Sequence, residues 1–556
     1  MLRLLGIRLA VVVLLAAPAA TVPAANTADL PAEERLRLRV ETLLLAGGGR
    51  AAGELRAASG LITELYARNG FQPMWRGPAM VEELMTSVAG AEAHGLDPED
   101  YHRRAIGRLW AAGVRPGDGT LAGDDLDLLL TDAFARLAFT LHFGKLLPND
   151  FHPQWNFERS FGVADPVAWV ARQLDAGTVA AGLAAAAPQT LFYRRLQDLL
   201  ARYRTIEASG GWPTIEAGPT LELGSTGPRV AALRQRLEIS GDLAPDPAVD
   251  PELFDEAADA AVRRFQTRHS LEADGKAGRR TLAELDVPVR RRIDQVRANL
   301  ERIRWVYRDV GADVLIVNIA GFDLWLVRNR EVAWRTRVQV GTPYHQTPVF
   351  TDLMRYVVLN PTWTVPPGIL RNEVLPAARK DPGYLAAERL RILDRQGREV
   401  DPSTLDLSGP FPYTVRQDAG PDNSLGVVKL MFPNPYHVYL HDTPSKSKFA
   451  RAERAFSHGC IRVQDPLTLT ELVLEGSGWD RDRIDAVVAS GETTTVRLPK
   501  PLPVMLLYWT VEVEADGTAF FFRDPYDRDE AVIAGLDRPF AVAPGMVPPM
   551  VSGAAR

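Results

Sequence analysis

The sequence predicts a multidomain α+β fold: a helical N-terminal scaffold, a three-helix module, and a mostly β domain with a capping insertion. Three observations carry this. Residues 30–215 hold leucine-rich, charged segments at helical spacing and without β-type alternation, as in Leu128, Leu129, Ala133, Leu137 and Leu141. Residues 216–290 hold two short amphipathic patterns and a third after a glycine-rich turn. From Asp313 onward, β-branched and aromatic runs alternate with Gly, Asn and Asp turns.

The 556 residues allow three or four domains at roughly 150 residues each. With 46% hydrophobic and 24% charged residues the composition is that of a globular protein. The formal charge is −6, from Lys+Arg 64 against Asp+Glu 70, and no long basic run stands out, which argues against nucleic acid as a partner. Residues 1–25 read as a secretory signal. Arg3 and Arg8 precede the apolar run Leu9–Ala17, and small residues follow at Ala17-Pro18-Ala19 and Val22-Pro23-Ala24. That run is shorter than the roughly 20 residues a membrane helix needs, so cleavage is expected over anchoring, with no membrane span afterwards.

In chain order, the scaffold covers 26–215, and His142 and His152 within it read as packing residues. In the module, 216–290, Val230, Leu233 and Leu237 share one helix face, and Phe254, Ala258, Ala261, Val262 and Phe265 line a second helix. Residues 291–310 read as a charged connecting helix. The β domain covers 311–515, with short helices at Ile369–Ala378 and Pro466–Leu474. A hairpin over Val504–Phe522 turns at Asp516-Gly517, and 516–556 form the C-terminal hairpin and tail. Residues 380–423 form a long, loop-rich insertion of the kind that serves as a lid.

The chemistry centres on Ser457-His458-Gly459-Cys460-Ile461-Arg462-Val463, which holds the only cysteine of the chain. A single thiol in an exported protein cannot form an intramolecular disulfide, and its polar, glycine-containing setting points to a reactive role. Gly459 lets the backbone approach a substrate closely. Alternation within Tyr436–His441 sets Val438 and Leu440 on one face and His437, Tyr439 and His441 on the other; Cys460 and Arg462 likewise oppose Ile461 and Val463. Tyr439, His441, Cys460 and Arg462 thus face a common groove if the two strands meet. His437 and His441 would stand about 13 Å apart on a strand at ~3.3 Å per residue, too far for one ion. His441, His458 and Cys460 remain a less favoured zinc set. No metal or cofactor is expected.

His441, the fifteen residues 442–456, and Ser457-His458-Gly459-Cys460 resemble the signature of the L,D-transpeptidases. The likeness extends to their large Gram-negative periplasmic branch through Asn360-Pro361-Thr362-Trp363-Thr364-Val365-Pro366-Pro367, Gly420-Pro421 to Leu425-Gly426, and Tyr439-Leu440-His441-Asp442-Thr443-Pro444. Leu223, Gly227, Val230, Leu233, Phe265, Gln266, Asp274 and Gly275 similarly resemble the small peptidoglycan-binding module of cell-wall enzymes. Arg462 stands where many smaller family members have asparagine, and Asp442 where others have glycine or serine.

The resemblance implies a periplasmic enzyme that forms 3→3 cross-links between peptidoglycan stem peptides, releasing D-alanine and open to acylation by carbapenems. Cys460 would be the nucleophile and His441 the base, oriented by a backbone carbonyl. The N–H groups of Gly459 and Cys460 would make the oxyanion hole, with His458 shaping the loop. Arg462, Trp363, Tyr439, Asn360 and Ser457 would contact substrate, and the insertion would cap the site. Partners would be a tetrapeptide donor and an amine acceptor, with other cell-wall synthesis proteins as further candidates. The competing readings are a hydrolase of the same amides and a silent wall-binding scaffold.

Overall fold

The computed structural model describes residues 30–45, 50–51, 54–55, 59–158, 165–308 and 310–540. The expected signal segment and the tail beyond 540 lie outside them. No described helix is long and apolar enough to cross a membrane.

The scaffold is helical, as expected, apart from a two-stranded ribbon of Arg50–Ala51 and Glu54–Leu55. Its centre is the helix Leu121–Phe143, started by Thr120, whose hydroxyl accepts the N–H of Gly123. This helix is buried on most of its circumference, so its acids need partners. Arg35 pairs with Asp124, and His102 and Arg136 with Asp132. Asp127 takes the Tyr66 hydroxyl and the N–H groups of Met74 and Trp75. His142 and His152 are buried; the His152 ring stacks on Trp155 and meets Trp305 edge-on.

The module forms three helices, Pro228–Ser240, Glu256–Arg268 and Arg279–Leu285, around Val230, Leu233, Val262 and Phe265. Gln266 ties its glycine turn together. Its amide donates to Asp274, the Lys276 carbonyl and Thr281, and its oxygen accepts the N–H of Gly275. Leu223, expected among the module's packing residues, is instead 57% exposed.

The helix Val289–Val306 is charged but buried along most of its length, because its charges are answered by other elements. Arg302 pairs with Asp529, and Arg297 with Asp294 and Asp537. Glu301 accepts from Leu146 N–H, Trp305 and Arg304.

The β domain is built on a nine-stranded sheet: β1 Val314–Asn318, β2 Asp323–Arg328, β3 Glu331–Gly341, β4 Phe350–Leu359, β5 Val428–Met431, β6 Leu440–His441, β7 Ala455–Ser457, β8 Ile461–Val463 and β9 Thr494–Leu507. The order is β7-β3-β8-β6-β5-β4-β9-β1-β2, and a further β2–β3 pairing closes the sheet on itself. The long hairpin expected from Val504 is divided. Val504 to Leu507 stay in β9, paired with β1 and β4, while Val511–Val513 and Ala519–Phe521 form a separate ribbon around the Asp516-Gly517 turn. A terminal helix, Asp529–Asp537, then packs on the connecting helix through the ion pairs above.

The insertion is also larger and more ordered than a loop. Its four-stranded sheet joins Trp363–Thr364, Thr414–Gln417, Leu390–Leu393 and Glu399–Val400, in that spatial order. Val365, Val374, Leu385, Ile392 and Val415 give it a core of its own, so it begins near Trp363 rather than at 380.

Candidate active site

The two strands that alternation required to meet are neighbours. β6 and β8 run parallel, pairing Leu440 with Ile461 and His441 with Arg462, and the Ile461 N–H donates to the Tyr439 carbonyl at 3.0 Å. Leu440 and Ile461 are fully buried on the core face. On the opposite face the register extends in both directions: Lys429 of β5 lies against His441, and Gln339 of β3 against Arg462. Four polar side chains, Lys429, His441, Arg462 and Gln339, therefore stand in one row across four adjacent strands.

Strand β6 is shorter than the expected Tyr436–His441. His437 has φ +56° and sits exposed in a turn, which the Asn434 side chain brackets by bonding Tyr436 N–H, Val438 N–H and the Val438 carbonyl. The His437 ring thus leaves the groove face. Its carbonyl stays there and accepts the Cys460 thiol at 3.6 Å. Among the described residues the thiol forms no hydrogen bond to an imidazole.

His441 is only 4% exposed. Its Nδ1 donates to the carbonyl of Asp442, which leaves Nε2 as the nitrogen free to accept a proton. Burial, followed by the nearby cations Arg462 and Lys429, pushes His441 down to about 3, and only the carbonyls of Asp442 and Leu425 pull the other way. The His441 imidazole is therefore neutral at ordinary pH. Burial pushes the Cys460 thiol up; the Tyr439 N–H and hydroxyl, Lys429 and Arg462 oppose that shift.

The loop that carries Cys460 is held in part by the Ser457 side chain. Ser457 Oγ accepts the Gly459 N–H at 3.1 Å and donates to the Cys460 carbonyl at 2.5 Å. Gly459 has φ +107°, a conformation that suits glycine. Its N–H is already bonded to Ser457, which removes it from the expected oxyanion hole; the Cys460 N–H has no such partner among the described residues. Ser457 itself is 2% exposed and acts inside the loop rather than on substrate.

The remaining expected residues separate. Tyr439 faces the thiol, with Lys429 Nζ 3.8 Å from its ring centroid. His458 points away, bonding Glu373 of the insertion at 2.7 Å, so His441, His458 and Cys460 do not converge as a zinc set. Among the described residues no group of three or more His, Cys, Asp or Glu side chains is gathered as metal ligands. Trp363 packs against the insertion's core. Asn360 corrects its expectation as a substrate contact: it is 3% exposed, and its amide donates to the carbonyls of Val487 and Glu492. Asn360 is a clasp between β4 and the end of the helix Arg481–Ser490.

Sequence reasoning overlooked Lys429, Gln339, Thr347 and Tyr526. The first had a readable signal, since Val428 and Leu430 point into the core and leave Lys429 on the groove face. Three cavities, of about 480, 560 and 630 Å³, lie elsewhere, between the module around Ser270 and the β domain around Ala452.

Comparison with known proteins follows this division. Residues 312–488 match the L,D-transpeptidase catalytic domain, residues 60–200 a scaffold domain, and residues 226–285 a domain described as "Putative peptidoglycan binding domain". A Haemophilus influenzae protein named "Putative L,D-transpeptidase" is 37% identical over 221 residues, which are 39% of this chain and 45% of that one. The chain thus spans less than half the length of that relative. Among solved structures, the L,D-transpeptidase of Xylanimonas cellulosilytica is 15% identical, covering 52% of this chain and 98% of its own, with TM-score 0.17. That of Mycobacterium smegmatis is 13% identical, covering 35% and 58%, with TM-score 0.16. At these values they are likenesses only.

Proposed function

We propose, from the match of residues 312–488 to the L,D-transpeptidase catalytic domain, that the protein is a periplasmic enzyme that joins peptidoglycan stem peptides by 3→3 cross-links. The donor is a tetrapeptide stem, attacked at the amide between its third residue, a diamino acid, and the terminal D-alanine. The observation that carries the reading is the β6–β8 register, which sets His441 beside Arg462 with Cys460 two residues earlier on the same face.

Cys460 Sγ attacks the amide carbonyl as His441 Nε2 accepts the thiol proton. A neutral imidazole held at Nδ1 by the Asp442 carbonyl is suited to that role. The tetrahedral oxyanion is met by the Cys460 N–H and by the Tyr439 hydroxyl, which already faces the sulfur. Collapse breaks the C–N bond, and His441 returns the proton to the departing D-alanine amine. The side-chain amine of a second stem then attacks the thioester, restoring the thiol. The insertion, tethered by Glu373 to His458, lies where it can keep water from the acyl-enzyme.

The test is incubation with purified disaccharide-tetrapeptide and mass analysis of the products. Cross-linked dimer together with free D-alanine is expected, and the Cys460→Ala variant should yield neither. Release of D-alanine without dimer would make the protein a hydrolase of the same bond, and turnover by the alanine variant would remove Cys460 as nucleophile.

A further inference from the structure

A buried charge is costly unless it is paired. The groove face nevertheless carries two cations, Lys429 and Arg462, in register on either side of His441, and among the described residues neither meets a carboxylate. Arg462 Nη1 reaches Gln339 Oε1 at a long 3.4 Å, while its Nε is buried and without a partner. Lys429 Nζ sits over the Tyr439 ring, a contact that leaves its N–H groups without an acceptor. The acid closest in sequence to His441 is engaged elsewhere: Asp442 takes the Val427 N–H and pairs with Lys446. Burial depresses the ionisation of both cations, as expected where no counter-ion offsets it.

We propose that Lys429 and Arg462 form a carboxylate site, occupied by the free C-terminal carboxylate of the donor peptide one residue beyond the amide that Cys460 attacks. The presence of the anion site follows from the unpaired cations; the identity of its anion rests on the transpeptidase reading. The spacing fits. One residue of peptide, about 3.3 Å of extended chain, separates the attacked carbonyl from a terminal carboxylate. Arg462 stands two residues from Cys460 along the strand direction, about 6–7 Å at the same rise, and its long side chain covers the difference. The planar guanidinium offers the fork that suits a carboxylate, and Lys429 adds a point charge from the other side of His441. The pair thereby selects donors that end just past the scissile bond, because a chain continued by another residue, or closed by an amide, presents a neutral group to two half-buried cations.

The experiment uses the full protein and measures the rate at which iodoacetamide alkylates Cys460 in the presence of N-acetyl-D-alanine or N-acetyl-D-alaninamide. The acid should protect at concentrations about tenfold or more below the amide, the scale of one charge-assisted hydrogen bond. Lys429→Met and Arg462→Met should each reduce that preference, and Lys429→Arg, which retains the charge, should keep it. Equal protection by acid and amide, or protection by neither, overturns the proposal, as does a preference that survives both methionine variants. A variant that fails to fold by circular dichroism leaves the wild-type comparison and Lys429→Arg to decide. Acid-selective protection in a protein that turns over no tetrapeptide would sink the transpeptidase reading alone. Turnover with acid-blind protection would sink the carboxylate site alone.

Discussion

The hydroxyl of Tyr526 accepts the N–H of Thr347 at 3.1 Å and donates to the carbonyl of Gly341 at 2.7 Å. Thr347 Oγ1 in turn accepts the Gly341 N–H and donates to the carbonyl of Gly459, each at 2.9 Å. The C-terminal segment is thus bonded through two side chains to the residue before Cys460. Tyr526→Phe would leave the Thr347 N–H and Gly341 carbonyl buried and unpaired, at about 1–3 kcal/mol for each group. We expect a lower melting temperature and slower alkylation of Cys460; a variant with unchanged melting and labelling would show that the loop holds itself.

His441 and His458 should differ sharply on replacement. General-base removal costs about 10²–10⁴-fold in rate, so His441→Ala should approach the inactivity of Cys460→Ala. His458→Ala loses a partly exposed contact to Glu373 and should stay within about tenfold of wild type. Comparing kcat/KM for the three variants decides this, and the reverse ranking of the histidines would reassign the base. A carbapenem should add its mass to the wild type and not to Cys460→Ala.

The depressed His441 sets a pH dependence. Its folded value of about 3 lies below the usual 6.5, so between those values the unfolded chain binds the extra proton. His441 therefore costs stability progressively as pH falls from about 6.5 toward 3. Activity, for its part, should show no titration near 6.5, because the base stays neutral there. Urea unfolding at pH 7.5 and 4.5 should show a smaller acid loss for His441→Gln than for wild type. A kcat/KM profile with an acid limb centred near 6.5 would contradict the neutral base.

Glu512 carries the opposite sign. Buried beside Asn318 and only loosely met by Arg335 at 3.4 Å, it is pushed up by desolvation to about 8. The folded state holds its proton between about 4.5 and 8, so the stability that goes with the protonated form is present below 4.5 and lost as pH rises through 8. Glu512→Gln keeps an acceptor for Asn318 and should raise the melting temperature at pH 8.5 while changing little at pH 4. Equal shifts at both pH values would place the cause in packing instead.

Glu373→Ala removes the bond between the insertion and the nucleophile loop. If the insertion positions peptide and excludes water, cross-linking should fall a few-fold and hydrolysis rise, with alkylation of Cys460 by a small reagent unchanged. An unchanged ratio of cross-link to hydrolysis would leave the insertion without that role. The variant is cleaner than deletion of 380–423, which would remove three of the four strands of the insertion's sheet and leave Trp363–Thr364 without its partner.

The polar row was legible because strand alternation is local: Leu440 and Ile461 on the core face dictate where His441, Cys460 and Arg462 point. Lys429 obeyed the same rule but carried no motif to draw attention to it. The Tyr526–Thr347 bond is a long-range contact between loops and leaves no periodic trace. Asn360 sits in a family-like motif, yet its amide clasps a helix end that only tertiary structure brings near. The burial of the connecting helix left no trace in its composition, because Arg302 and Glu301 find partners in distant segments.

That helix also bears on how such proteins can be recombined. The catalytic match begins at residue 312, just past its end at Val306, and stops at 488, before the Thr510 and Asp529 that bond its Asn299 and Arg302. One apolar cluster runs unbroken from Leu36 through Val296 and Leu300 to Leu536. A fragment excised at the homology boundaries would carry Cys460 and His441 without the connecting helix and the terminal segment bonded to it. In this chain the stretch that matches the catalytic domain shares its core with its neighbours, and the boundaries of likeness are not the boundaries of a folding unit.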